Sequence, residues 1–495
     1  MIIFGSIECI IKAKLWGIHE IEIINEKAYE NPYRDVELNV QYTRPDGSTI
    51  DFWGFYDDNR TWRARFMPDM TGLWKYKAVF SDGTQGSEGS FECVEADIPG
   101  MISKDESNPV WFGYKGGKHV LIRSFHVGDR FFAENWPQES RKQFLDWVQE
   151  HKYNMLSIAS HYLNRDSEGR GRGWKTPRLW KDGNPCAEEY RKMESILNEL
   201  AERKILVFPF GGFFGRDARY PRSEEDKKLY IRYTLARIGA YWNIMLNVAG
   251  PEPLHEDFPY MSGAELDYLG EYISSVDVFK HLLTIHNKTG PDEFKDKGYT
   301  SFGTLQGPKT TDRKALYEGL INNHTGNRPL LAHETLWYGN KYHPQYTDDD
   351  LRKNAYVIMM SACALNFAEN NGDSSTAFSG TMDIKDADAS KHEIIKGVWD
   401  FFETVPYYTM IPRKDLVNNG FCLAEEGKRY LIYLESGGRV DVKVKKGIYK
   451  VEWINARNTV QRIDGGKTED GKGFEAPDSN DWILELQCWS NRLID

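Results

Sequence analysis

The sequence predicts a multidomain protein in which a central (β/α)8 TIM barrel is flanked by N-terminal and C-terminal β-sandwich domains. Three observations lead there. The chain has 495 residues, more than one hydrophobic core accommodates. Between about residues 110 and 405, short apolar runs alternate with charged segments of helical period, the pattern of a parallel sheet wrapped by helices. On either side, in 1–98 and 406–495, short period-two strands are separated by turn residues, the pattern of a sandwich.

In the N-terminal part, Met1–Ile11 reads as a first strand because it holds Glu8 and lacks a basic leader. Asp35–Tyr42 alternates apolar and polar residues, Arg44-Pro45-Asp46-Gly47 is a turn, and Thr49–Phe55, Trp62–Phe66 and Leu73–Tyr76 are further strands. Ala96–Pro109, rich in Asp, Pro, Ser and Asn, reads as a linker. A hairpin turning at Lys115-Gly116-Gly117-Lys118 opens the central part. Barrel strands are expected at His119–Phe125, Met155–Ser160, Leu206–Phe210, Ile244–Val248, Leu282–Ile285, Ser301–Leu305, Leu330–His333 and Leu365–Ala368. Helices are expected at Glu139–Glu150, Glu188–Arg203, Glu224–Ala240, Ala264–Ser275, Asp312–Asn323 and Asp349–Ala364. A long insertion, Asn164–Pro185, would rim the barrel mouth. Strands return at Tyr430–Leu434, Val440–Val444, Tyr449–Ile454 and Asp481–Leu486.

Composition excludes several classes. The net charge of −11 opposes nucleic-acid binding. No run of about 18 apolar residues occurs, so no membrane span is expected. The six cysteines are scattered without a CxxC, which suits free thiols in a cytoplasmic protein. A homo-oligomer stays open. The aromatic share of 14% is mostly core, although exposed rings stack well on sugar faces.

Two glutamates carry the chemistry. Glu252 follows the fourth expected strand and Glu334 the seventh. Residues at the C-terminal ends of barrel strands form the active face of that fold. Paired carboxylates there suit glycosidic bond cleavage: one protonates the leaving oxygen and the other attacks or stabilises the anomeric carbon. A single glutamate after an apolar run is usually a helix-cap neighbour or loop ion pair; two at these ordinal positions are less easily explained that way. Around them, His126 and Asp129 follow the first strand, His161 the second, His286 and Asn287 the fifth, Gln306 the sixth, Trp337 the seventh and Glu369 the eighth. Such groups offer donors and acceptors to sugar hydroxyls and are the expected substrate-binding residues. Arg123, inside the first strand, would be buried and requires a partner, most naturally a carboxylate. A metal hydrolase built on His126, His161, His286 and His333 is the weaker reading, because no HxH or HExxH occurs. No cofactor motif is present; Gly211-Gly212-Phe213-Phe214-Gly215 fits neither GxGxxG nor a P-loop.

Gly54-Phe55-Tyr56-Asp57-Asp58, Trp62–Asp69 and Thr71–Tyr76 resemble the N-terminal β-sandwich of a group of bacterial carbohydrate-active proteins. In that group the sandwich precedes a barrel similar to the apiosidase-like glycoside hydrolases. Tyr430–Leu434 and Gly447–Trp453 resemble the closing β-domain of such chains, often labelled collagen-binding. The resemblance implies a carbohydrate substrate and catalytic acids after strands four and seven, which are Glu252 and Glu334 here. Where the wider clan carries Asn-Glu after strand four, this chain carries Gly250-Pro251-Glu252. The expectation is therefore a retaining glycoside hydrolase acting on oligosaccharides or glycosides, with exo action on short imported chains. The alternative is a non-catalytic carbohydrate-binding or scaffolding protein with a degenerate site.

Overall fold

The computed structural model describes residues 11–127, 131–158, 178–211, 221–255, 259–370, 384 and 387–490. The N-terminal strands form a five-stranded sheet, ordered Ile11–Lys14, Ser87–Val94, Gly72–Phe80, Leu38–Thr43, Thr49–Trp53. His19–Ile24, Thr61–Phe66 and Phe55–Asp58 form a three-stranded sheet. Period two is plain in Leu38–Thr43 and His19–Ile24, where alternate side chains are buried. Their inward residues, including Leu38, Tyr42, Trp62, Phe66, Trp74 and Phe91, share one core. That core runs on into the central region, where Phe52 and Phe66 both pack on Phe279.

Among the described residues the central region contains eight parallel strands: β1 (Arg123–Val127), β2 (Met155–Ile158), β3 (Leu206–Phe208), β4 (Leu246–Asn247), β5 (Leu283–Thr284), β6 (Gly303–Leu305), β7 (Leu330–Tyr338) and β8 (Cys363–Glu369). Six form one half-barrel sheet in the order β3-β2-β1-β8-β7-β6, and β4 pairs with β5. A parallel bridge joins Val207 to Ile244 beside β4, and the Ser301 N–H donates to the Leu283 carbonyl at 2.8 Å. Apart from Tyr338 at the end of β7, every residue in these strands is buried, so both faces are covered, as in parallel sheets wrapped by helices.

The helices are α1 (Gln138–Glu150), α2 (Ala187–Glu202), α3 (Glu224–Ile238), α4 (Gly263–Val276), α5 (Arg313–Ile321), α6 (Asp348–Met360) and α7 (Ala389–Glu403). Ser223, Ser262, Asp312, Thr347 and Asp388 cap five of them with side-chain oxygens, supplying acceptors to otherwise orphaned N–H groups. Arg123 finds the expected carboxylates on α7: Asp400, 3.4 Å away, and Glu403.

C-terminal residues form a six-stranded antiparallel sheet running Ile411–Pro412, Phe421–Glu425, Arg429–Leu434, Trp482–Ser490, Ile448–Asn455, Arg462–Thr468. It docks on the central helices, with Tyr433 stacked on Tyr356 at 4.8 Å and Asp481 bonded to Arg352 of α6.

Three expectations need correction, and one helix was not foreseen. The segment 96–109 is not only a linker: Ile102–Lys104 is a strand paired with Phe112–Tyr114, and the Ile102 N–H donates to the Trp242 carbonyl. The predicted strand Val440–Val444 shrinks to Arg439–Val440. β7 runs past His333 to Tyr338. Helix α7 escaped the sequence reading, although Asp388 and the spacing of Ile395, Val398, Trp399 and Phe402 encode it. The turn at Gly116-Gly117 is as expected, with both glycines at positive φ.

Candidate active site

The site is built at the C-terminal ends of β4 to β7. Asn247 ends β4 and ties three strands together. Its amide donates to the Phe210 carbonyl, and its Oδ1 accepts from the His286 N–H at 3.0 Å. Gly250 follows, at a point where a Cβ would collide with the Phe210 carbonyl and the Asn247 amide and stand 2.9 Å from His286 Cβ. A cis Gly250–Pro251 peptide leads into Glu252, whose φ is +50°. The Glu252 N–H donates to the His286 carbonyl at 2.9 Å, and its Oε1 accepts from Gln306 Nε2 at 3.0 Å. The Gln306 amide nitrogen also donates to the Asn287 carbonyl at 2.9 Å. The ends of β4, β5 and β6 thus converge on one carboxylate.

Glu334 is placed by a bulge in β7. Ala332 pairs with Leu365 of β8, but the next pair in register is Leu336 with Phe367. His333, Glu334 and Thr335 therefore occupy a bulge, the device by which a strand re-aims side chains next to a site. Thr335 pins it: Oγ1 donates to the Leu305 carbonyl at 3.1 Å and accepts from the Gly307 N–H at 3.0 Å. Glu334 is 6% exposed, with Oε2 3.9 Å from His286 Nε2.

Beside Glu334 lies a buried imidazole cluster. His286 Nε2 and His333 Nδ1 are 2.9 Å apart, and His333 Nε2 is bonded to Ser157 Oγ of β2. Phe210 packs against His286, His333 and His126, with ring centroids 4.8, 4.5 and 5.0 Å away. Trp337 lies 4.4 Å from His126 between centroids. Burial holds the His126 and His286 pKa values down at about 3 and that of His333 well below the usual imidazole range. The rings are therefore uncharged at neutral pH, each able to donate at one nitrogen and accept at the other. His286, His333 and Glu334 each present a possible ligand atom, all within 4.8 Å of one another.

Of the residues expected at the site, Glu252, Glu334, His126, His286, Gln306 and Trp337 are linked by these contacts. Asn287 joins through its backbone carbonyl, while its side chain bonds the Pro291 carbonyl and the Lys288 N–H. Glu369, fully buried, faces α7: its oxygens bond His392 Nε2 at 2.7 Å and the Asp388 N–H at 2.9 Å. Asp129 and His161 lie outside the described residues. Ser157, Asn247, Phe210 and Thr335 escaped the sequence reading. A signal existed for two of them, since Ser157 and Asn247 are polar residues interrupting apolar strands.

Residues 12–81 match a family described as a domain of unknown function, DUF5060. No curated protein matches the chain. Among solved structures, the chain is similar to a protein of Bacteroides vulgatus ATCC 8482 described provisionally as a glycoside hydrolase. That likeness has a TM-score of 0.73 at 16% identity and covers 97% of this chain and 100% of the other. A glycoside hydrolase family 5 protein from the same organism gives 0.59 at 15% identity, covering 80% and 95%. A further glycoside hydrolase gives 0.60 at 14% identity, covering 79% and 98%. At these identities the likeness is one of fold.

Proposed function

We propose that the chain is a retaining glycoside hydrolase acting on oligosaccharides or glycosides. In this reading the eight parallel strands form a (β/α)8 barrel over residues 110–405, carried between β-sandwich domains at 1–98 and 406–495. The observation that carries it is the convergence of both glutamates on His286, Glu252 through its backbone and Glu334 through its carboxylate. The fold shared with glycoside hydrolases supports it.

Glu252 acts as the acid/base and Glu334 as the nucleophile. The Glu334 carboxylate attacks the anomeric carbon while protonated Glu252 gives its proton to the departing glycosidic oxygen. A covalent glycosyl-enzyme forms and the aglycone leaves as an alcohol. Water then attacks the anomeric carbon, losing a proton to Glu252, and Glu334 is released as carboxylate. Neutral His126 and His286, buried with Trp337, form the floor beneath the sugar site. This chemistry requires the two carboxyl groups about 5–5.5 Å apart in the working site. Short substrates would be trimmed from one end.

A panel of aryl glycosides and plant or algal oligosaccharides tests the reading. Turnover is expected with retention of anomeric configuration at the first product, read by NMR. Glu334→Gln should abolish it while leaving the fold intact by circular dichroism. Full activity in that variant would refute the role of Glu334, and inversion would refute the covalent step.

A further inference from the structure

We propose that His286, His333 and Glu334 form a binding site for a zinc-class divalent cation, and that the ion competes with the sugar for Glu334. The competition rests on the hydrolase reading above; the binding does not.

The geometry comes first. Metal–nitrogen bonds of about 2.0–2.1 Å place neighbouring ligand atoms about 2.9–3.4 Å apart, for angles between square and tetrahedral. His286 Nε2 and His333 Nδ1 stand 2.9 Å apart, within that spacing. They share one proton, which an ion would replace. Glu334 Oε2 is 3.9 Å from His286 Nε2 and must approach by about 0.5–1 Å to match it, a side-chain rotation within the bulge. Second, the set has an outer support. Ser157 Oγ bonds the far nitrogen of His333, as groups behind ligating imidazoles do. Third, a further nitrogen stands close by. His126 is fully buried, neither of its ring nitrogens has a hydrogen-bond partner among the described residues, and its centroid is 5.6 Å from that of His333. It is the candidate fourth ligand. Two or three imidazoles with one carboxylate select zinc, cobalt or nickel, whereas magnesium and calcium favour all-oxygen sites.

The whole chain, stripped with a chelator and dialysed, is titrated with Zn²⁺ against a metallochromic indicator and with Co²⁺ by visible absorption. One equivalent should bind, with cobalt bands of a nitrogen-ligated site, and Mg²⁺ should not displace it. Both His286→Ala and the isosteric Glu334→Gln should weaken binding about 10–100-fold or more, while Glu252→Gln should leave it unchanged. Saturating Zn²⁺ should suppress hydrolysis, and the chelator should restore it. Absence of one-to-one binding, or binding undiminished in both variants, overturns the site. Full hydrolysis by the zinc-saturated chain overturns the competition. Zinc binding in a chain that cleaves no glycoside keeps the site and removes the hydrolase reading instead.

Discussion

The backbone N–H of Glu252 donates to the carbonyl oxygen of His286 at 2.9 Å. That bond clamps the loop after β4 to the end of β5 and holds Glu252 at φ +50°. A residue with a Cβ pays about 1–2 kcal/mol in this left-handed region, whereas glycine does not. Such an outlier is characteristic of a residue placed for function at the expense of stability. Glu252→Gly should therefore be more stable than Glu252→Ala by about 1 kcal/mol, though both lose activity. Urea unfolding of the two variants measures this. An alanine variant as stable as the glycine variant would show that the backbone stores no strain here.

Gln306 is the second residue holding Glu252, and its role separates positioning from substrate binding. A typical hydrogen bond contributes about 0.5–1.5 kcal/mol. Gln306→Leu should accordingly lower kcat by about 2- to 10-fold, with KM little changed. The loss should shrink on aryl glycosides with very acidic leaving groups, which need little protonation. A rise in KM alone, equal for all leaving groups, would make Gln306 a sugar-binding residue instead.

Much of this arrangement was legible in the residues before the fold was known. The strand-like runs stand out because buried parallel strands are continuously apolar, and Glu252 and Glu334 sit at the ends of two of them. What could not be read was the bulge. Glu334 and Thr335 look like the end of a strand because their polarity breaks the apolar run, yet β7 continues to Tyr338 around them. Glu369 shows the converse. It ends β8, but its partner His392 lies on α7, 23 residues further along the chain, and the pairing of the two is set by the tertiary fold. The His286–His333–Ser157 chain joins residues at the ends of three strands distant in sequence, and only the tertiary fold brings them together.

Buried neutral histidines make stability depend on pH. His343 has its pKa lowered from 6.5 to about 3, chiefly by burial and then by Lys309. The unfolded chain takes up a proton below pH 6.5 that the folded chain refuses. Stability contributed by this group is therefore complete above pH 6.5 and lost as pH falls towards 3. The loss is about 1.4 kcal/mol per pH unit for each such histidine. Moving from pH 7 to pH 5 should cost the natural protein about 2 kcal/mol more than it costs His343→Phe. Equal losses in parallel urea titrations would mean that His343 is protonated in the fold.

Arg237 makes the junction between the N-terminal strands and the central helices depend on a buried charge. It is fully buried on α3. Its Nε and Nη2 donate to Glu194 of α2 at 2.5 and 2.9 Å, and its Nη1 donates to Asp57 of the N-terminal strand Phe55–Asp58 at 2.8 Å. Arg65 also reaches Glu194 at 2.8 Å, and Arg63 and Arg191 reach Asp57. Truncating one member of a buried ion pair strands the other, at a cost of about 3–5 kcal/mol, whereas replacing both with apolar residues is often neutral. Arg237→Met should be destabilised by about that amount. Arg237→Lys should fall between, since it keeps the charge but not the two-pronged bond. The double variant Arg237→Met with Glu194→Met should recover part of the loss, although Arg65 would then lack its buried partner. Urea unfolding of the natural protein, Arg237→Met, Glu194→Met and the double variant closes the cycle, with Arg237→Lys measured beside it. A double variant no more stable than Arg237→Met would mean that Arg65 and the arginines around Asp57 already neutralise the cluster, and that Arg237 acts there through its packing alone.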